Sequence, residues 1–194
     1  MSTNKKIGER IKLLRESKSI SIKEMAERSG LDEKQVNNVE QAGGLPSLAP
    51  LIKIARVLGV RLGTFLDDNE ELGPVICRKE QHCRDKSVSF STKDTSSHRH
   101  MDYYSLSYAK SGRHMEPFFI HIEPIRQGVD FVLSTHEGEE FIYCIEGVVE
   151  INYGSQIYLL EEGDSIYYDS IVAHHVHAGG TEGAKILAVI YAPA

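Results

Sequence analysis

Residues 21–41 read SIKEMAERSGLDEKQVNNVEQ, and this stretch decides the fold of the N-terminal part of the chain. Ser21 followed by Glu24 has the pattern of a capping box, in which the hydroxyl accepts from a free helix N–H and the carboxylate reaches back. The helix that starts there is expected to reach Ser29 and stop at Gly30, which takes the positive φ of a tight turn without steric cost. Leu31 fills the corner, and Asp32 with Gln35 caps a second short helix. That second helix turns Val36 and Val39 inward and leaves Glu33, Lys34, Gln35, Asn37 and Asn38 facing outward. Two short helices joined by a glycine turn, the second polar along its outer face, make a helix-turn-helix. A plain helical bundle with a polar second helix is the alternative; the flanking helices favour DNA binding.

Upstream, Lys5 to Lys18 reads as a first helix, with Ile7, Ile11 and Leu14 on one face and Lys5, Lys6, Arg10 and Lys12 mostly elsewhere. Downstream, Gly43, Gly44 and Pro46 break the chain. Leu48, Leu51, Ile52, Ala55 and Leu58 then resume helical spacing up to Gly59, and Leu62, Phe65 and Leu66 supply a last short helix before Asp67-Asp68. The expectation for residues 1–68 is an all-α bundle of five helices with its own core.

These residues resemble the phage-repressor-like helix-turn-helix domains. The resemblance covers residues 6 to 66 and rests on Glu24-Met25-Ala26, the Gly30 turn, Glu40 and Pro46-Ser47 at the start of the fourth helix. It implies that Glu33 to Gln41 is a recognition helix in the major groove of double-stranded DNA. Lys34, Gln35, Asn37 and Asn38, with Glu33 beside them, would face base edges, and Lys23 a phosphate; Asn and Gln make bidentate bonds to adenine. One such helix reads few base pairs, so a homodimer on an inverted-repeat operator is expected.

The charge distribution agrees with a division of labour. Residues 1–68 carry 12 Lys+Arg against 9 Asp+Glu, a balance of +3; residues 69–194 carry 10 against 19, a balance of −9. All nine histidines fall in the second part. A basic small domain before an acidic larger one suggests that only the first meets nucleic acid. No apolar run is long enough to span a bilayer, and MSTNKKIGER lacks the apolar core of a signal peptide, so no membrane partner is expected. Cys77, Cys83 and Cys144 are a sparse and odd set that suits the reducing cytoplasm. Cys77, His82 and Cys83 have no evident fourth metal ligand and read as part of a connecting segment.

Residues 69–95 are polar, mixed in charge and without apolar period, and read as a linker with one edge strand around Val75–Cys77. From His98 onward the period becomes two. Runs such as PFFIHIEP, EEFIYCIEG, VVEINYG and KILAVIYAP are separated by glycines, including Gly112, Gly128, Gly147, Gly154 and Gly163. Residues 96–194 are therefore expected to form an all-β sandwich or barrel.

Within that domain Ser134-Thr135-His136-Glu137-Gly138-Glu139-Glu140, followed by Gly147, resembles the first cupin motif, and Gly163-Asp164 with His174 resembles the second. The resemblance implies a jelly-roll barrel with a pocket at its mouth. The family's metal set is two histidines, a glutamate and a distant histidine; the matching positions here hold Ser134, His136, Glu140 and His174. The second motif's proline and final asparagine are replaced by Asp169 and Ala178. Two imidazoles and a carboxylate still make a facial triad for zinc, iron or nickel. Equally, His136, Glu140 and His174 can hydrogen-bond an organic effector, or one another, without metal. His175 is expected to point away from His174. Arg99, Arg113, His114, Tyr103 and Tyr143 are candidates to clamp a small polar anion, or else core and surface residues.

The order of domains resembles the cupin-containing helix-turn-helix regulators. The expected function is a cytoplasmic, DNA-binding transcriptional regulator whose cupin domain senses a small-molecule effector, not an enzyme. The alternative is a metal-dependent cupin enzyme, an oxygenase or isomerase, with an accessory DNA-binding domain. The missing first histidine favours the regulator.

Overall fold

The computed structural model describes residues 3–41, 48–66, 74–81, 88–90, 101–110, 113–124 and 133–193. The breaks expected at Gly43, Gly44, Pro46, Gly112 and Gly128 lie outside these residues. So do Asp67-Asp68, His82, Cys83, His98, Arg99 and most of the stretch read as linker.

Five helices come first: α1 (Thr3–Ser17), α2 (Ile22–Ser29), α3 (Glu33–Glu40), α4 (Ala49–Leu58) and α5 (Gly63–Leu66). Their buried faces follow the apolar spacing, with Ile7, Ile11, Met25, Val36, Leu51, Ile54, Leu58 and Phe65 all enclosed. Among the described residues no helix is long and apolar enough to cross a membrane.

The caps are local chemistry made visible. Asp32 accepts from the Gln35 backbone N–H at 2.7 Å, and the Gln35 side chain accepts from the Asp32 N–H at 3.0 Å, a complete capping box. At α2 only half of the expected box forms. Ser21 Oγ accepts from the Glu24 N–H at 3.1 Å, but the Glu24 carboxylate turns the other way and pairs with Arg28 at 2.6 Å. A guanidinium one turn along the helix outcompetes a backbone N–H for that carboxylate. Gly30 closes α2 at φ 66°, the left-handed conformation the turn requires.

A buried ion pair locks α1 to the end of α3. Arg15 Nε donates to Glu40 Oε1 at 2.6 Å and Nη2 to Oε2 at 2.9 Å, while Nη1 donates to the Ile20 carbonyl at 2.8 Å. The hydrogen bond to Glu40 raises the Arg15 pKa above its ordinary value. One guanidinium thus fixes the rear of α3 and the α1–α2 loop together.

The second domain is all β. A six-stranded antiparallel sheet has the order β1 (Val88–Phe90), β2 (Met101–Ser105), β3 (Met115–Ile122), β9 (Ala184–Tyr191), β4 (Glu139–Glu146) and β7 (Ser165–Asp169). A three-stranded sheet of β6 (Gln156–Leu160), β5 (Val149–Tyr153) and β8 (His174–Ala178) faces it. Alternation is strict where the sheet is covered: Phe118, Ile120 and Ile122 on β3 and Ile186, Ala188 and Ile190 on β9 point inward. The strand expected at Val75–Cys77 does not form. Gly73-Pro74 precedes it, Ile76 is 67% exposed, and residues 74–78 pair with no other strand. The early strand is instead Val88–Phe90, inside the stretch read as linker, and it pairs with Met101–Tyr103 of the barrel.

Arg15→Ala is expected to destabilise the helical domain by about 3 kcal/mol in denaturant titration, because Glu40 would be left charged and unpaired in the interior. A change of only a few tenths would mean that the pair is dispensable.

Candidate functional site

Four of the five residues expected on the outer face of α3 are exposed. Glu33, Lys34, Gln35 and Asn38 are exposed, Asn37 is half-buried, and Val36, Val39 and Glu40 are buried behind them. Asn37 is partly spent within the helix, since its amide donates to the Glu33 carbonyl at 3.0 Å. Lys23 on α2 is 74% exposed and makes only a loose 4.0 Å pair with Glu27.

In the barrel, the segment before β4 and the start of β8 come together. Ser134 and His174 exchange backbone hydrogen bonds at 2.8 and 2.9 Å, and the His136 N–H donates to the Ser170 carbonyl at 3.0 Å. Between His136 and Glu140 the chain passes Gly138 at φ 110°, where a Cβ would lie 1.9 Å from the Tyr191 carbonyl oxygen. Only glycine lets the motif run this close to the end of β9.

The result is a buried cluster of His136, Glu140 and His174, whose ligand atoms all lie within 4.8 Å of one another. Glu140 Oε1 is 2.8 Å from His136 Nε2 and 3.4 Å from His174 Nε2. Tyr168 donates to Glu140 Oε2 at 2.8 Å, and Ser170 Oγ to Oε1 at 3.3 Å. Burial alone would favour the neutral acid; the hydrogen bonds from His136 and His174 outweigh it and hold Glu140 far below the usual carboxylate range. Burial works against charge on His174 too, but the Glu140 carboxylate wins and raises its pKa. Tyr168 is pushed well up by burial and by the same carboxylate, so it acts as a donor.

The ring orientations carry further information. His136 Nδ1 lies 3.1 Å from the Glu137 carbonyl and His174 Nδ1 2.8 Å from the Val172 carbonyl. A carbonyl only accepts, so both Nδ1 atoms carry hydrogen. Each neutral ring therefore turns its Nε2 lone pair toward Glu140, and two acceptors at 2.8 Å attract only with positive charge between them. Protons on the imidazoles supply that charge; so does a divalent transition metal, for which two imidazoles anchored through their second nitrogens and one carboxylate are an apt donor set.

Other candidates are not brought here. Tyr143 lies on β4 an odd number of residues from Glu140, faces outward and is 40% exposed. Arg113 is spent on a buried pair with Glu116 at 2.7 Å and on the Lys110 carbonyl at 2.8 Å. His114 is exposed. Tyr103 is the exception: it pairs with inward-facing Ile120, packs edge-on against Phe118 and lies close enough to Tyr168 to add to the rise of its pKa. His175 and His177 take the opposite face of β8 from His174, with rings 5.3 Å apart. Tyr168 and Ser170 are the residues that the sequence reading missed. Cross-strand register sets Tyr168 beside Glu140, with which it pairs directly across β4 and β7, and no local signal in the sequence marks it.

With that geometry in view, comparison with known proteins adds three findings. The helix-turn-helix family model matches residues 11–65, and the cupin domain model matches residues 121–190. The HTH-type transcriptional regulator SinR of Bacillus subtilis is 36% identical over 66 residues, which make up 34% of this chain and 60% of that protein. The chain thus spans about three-fifths of that relative's length. Among solved structures, an HTH_3 family transcriptional regulator from Vibrio cholerae superposes with a TM-score of 0.69 at 22% identity, covering 98% of this chain and 97% of that one. FeII HppE in complex with substrate superposes at 0.51 with 23% identity, covering 97% and 99%. At these identities the structural likenesses speak for the fold, in both domains and in their order.

Tyr168→Phe removes one donor from a buried carboxylate and is expected to cost about 1.5–3 kcal/mol of stability at neutral pH. It should also make acid unfolding begin at higher pH. The depressed pKa of Glu140 contributes stability that is present above the unfolded carboxylate's pKa and lost as pH falls, and losing a donor raises the folded value. Denaturant titrations at several pH values check both.

Proposed function

The chain is a cupin-containing helix-turn-helix protein, and from that premise we propose that it is a transcriptional regulator that reads DNA with α3 and senses a small molecule in its barrel. The observation that carries this reading is the two-sidedness of α3. Its rear is bolted to α1 through Glu40 and Arg15, while Lys34, Gln35 and Asn38 stand exposed on the front. A rigidly held polar helix suits base contacts in the major groove, and exposed Lys23 on α2 suits a phosphate. The likeness of the helical domain to a SinR segment supports the same reading. In this account residues 1–68 bind DNA, and the barrel, with Val88–Phe90 as its edge strand ahead of residues 96–194, senses. The protein acts as a homodimer on an inverted repeat.

In the barrel, His136, Glu140 and His174 form the floor of the effector site, with Ser134 beside them on the strand bridge to His174. These residues would hold a zinc, iron or nickel ion, and an ion bound there offers open coordination positions to the donor atoms of an effector. Ser134 stands where the cupin metal set has its first histidine, and a hydroxyl is a poor ligand beside an imidazole, so retention should be weak.

A second reading, a metal-dependent cupin enzyme, draws on the triad itself and on the shared fold of FeII HppE. The regulator is preferred because the helical domain is 36% identical to a segment of SinR and Ser134 stands where the cupin metal set has its first histidine.

Selection of bound fragments from a random DNA pool is expected to return a short twofold-symmetric site. Asn38→Ala should relax base preference at one position per half-site, by about 1–3 kcal/mol. Lys23→Ala should weaken every sequence alike and reduce the salt dependence. Retention of full sequence preference by Asn38→Ala would remove that residue from base readout.

Metal analysis of untagged protein before and after a chelator is expected to find substoichiometric, removable metal, and Ser134→His to tighten it. A stoichiometric ion that survives chelation contradicts the weak site.

A further inference from the structure

A cleft of about 230 Å³ opens between the helical domain and the mouth of the barrel. Both domains build its walls: Ser29 at the end of α2, Lys53 and Arg56 on α4, and Thr135, His136 and Glu137 ahead of β4. His136 belongs to the cleft and to the buried cluster at once, so the cleft abuts the barrel centre.

The charges of this wall are uneven. Arg56 and Glu137 pair across the cleft, but both side chains are half exposed, and such a pair is weak and readily exchanged. Lys53 is half-buried and has no hydrogen-bonding or ionic partner among the described residues. On this wall two cations, Lys53 and Arg56, therefore face one carboxylate, Glu137.

We propose that the cleft is the outer half of the effector site and takes a small organic acid. One carboxylate of the ligand displaces Glu137 from Arg56 and is shared with Lys53; the rest of the molecule extends past His136 toward Glu140 and His174. An uncharged ligand of the same size would leave Lys53 unbalanced and would not break the Arg56–Glu137 pair. The inference rests on the reading of the barrel as a sensor and adds to it the ligand's class and a second holder, α4. Since α2 packs on both α3 and α4, an occupant touching Ser29 and Arg56 reaches the helices that support α3.

The test uses the full chain and a panel of acetate, malonate, succinate and glutarate, with succinamide as an uncharged control, all at constant ionic strength. Thermal melting and calorimetric titration are the readouts. The expected result is a saturable rise in melting temperature with at least one acid and none with succinamide. Binding should weaken roughly tenfold in Lys53→Met and, independently, in Arg56→Met, as loss of a charge-assisted contact implies. Glu137→Gln should tighten it several-fold by removing the competitor. His174→Ala should weaken it as well. If acids bind and only His174→Ala weakens them, the barrel remains the sensor and the role of the cleft is overturned. If succinamide binds as well as succinate, or no acid binds saturably, the anionic class is overturned while the barrel remains open to uncharged effectors.

Discussion

One buried carboxylate organises the second domain. Glu140 sits in the barrel interior as an anion, and a charge so placed is tolerable only when every lone pair is answered. Its partners come from three places in the chain: His136 from the segment before β4, Tyr168 and Ser170 from β7 and the turn after it, and His174 from β8. The segment carrying His136 must therefore cross to β8, which it does through the Ser134–His174 bridge. Gly138 must in turn yield space to the Tyr191 carbonyl. The functional reading and the packing of the barrel mouth follow from the same constraint.

The sequence disclosed most of this architecture, for physical reasons that differ between the domains. In the helical part, caps and apolar spacing are local signals, so Ser21, Gly30, Asp32 and Gly59 marked the helix ends well. The Arg15–Glu40 pair was not legible, because nothing local joins a residue of α1 to one at the end of α3. In the barrel, period-two alternation gave the strands from residue 101 onward. The short strand Val88–Phe90 was hidden in polar surroundings, and the apolar residues Val75 and Ile76 drew the assignment instead. Parity along a strand settled some candidates and was underused for others. Tyr143 reads from the sequence as a candidate to clamp an anion, although its odd step from Glu140 along the strand already sets it on the outer face. Tyr168 is set by cross-strand register, a non-local quantity that one sequence does not reveal.

Within the described residues two polar contacts join the domains, and α1 also lies against β1. Arg56 reaches Glu137, and Arg61 Nη1 donates to the Arg113 carbonyl at 3.2 Å. A half-exposed pair contributes about 0–1 kcal/mol, so the Arg56–Glu137 pair by itself does not lock the placement. A placement held by pairs of this strength can be shifted by a ligand of ordinary affinity, whereas a large apolar interface could not. The helical domain, by contrast, is rigid within itself, because Arg15 and Glu40 tie the recognition-type helix to α1. In the proposed regulator, such a joint between the domains would let occupancy of the barrel move α3 as a unit.

If barrel and helical domain are coupled, the coupling is reciprocal: whatever the barrel does to DNA affinity, DNA must do to the barrel. Amide hydrogen exchange of the full chain, with and without the DNA site it selects, tests this directly and needs no knowledge of the effector. The account predicts that DNA alters exchange in α3 and α4 and also across residues 133–140. Changes confined to residues 3–41, with residues 133–140 untouched, would contradict it.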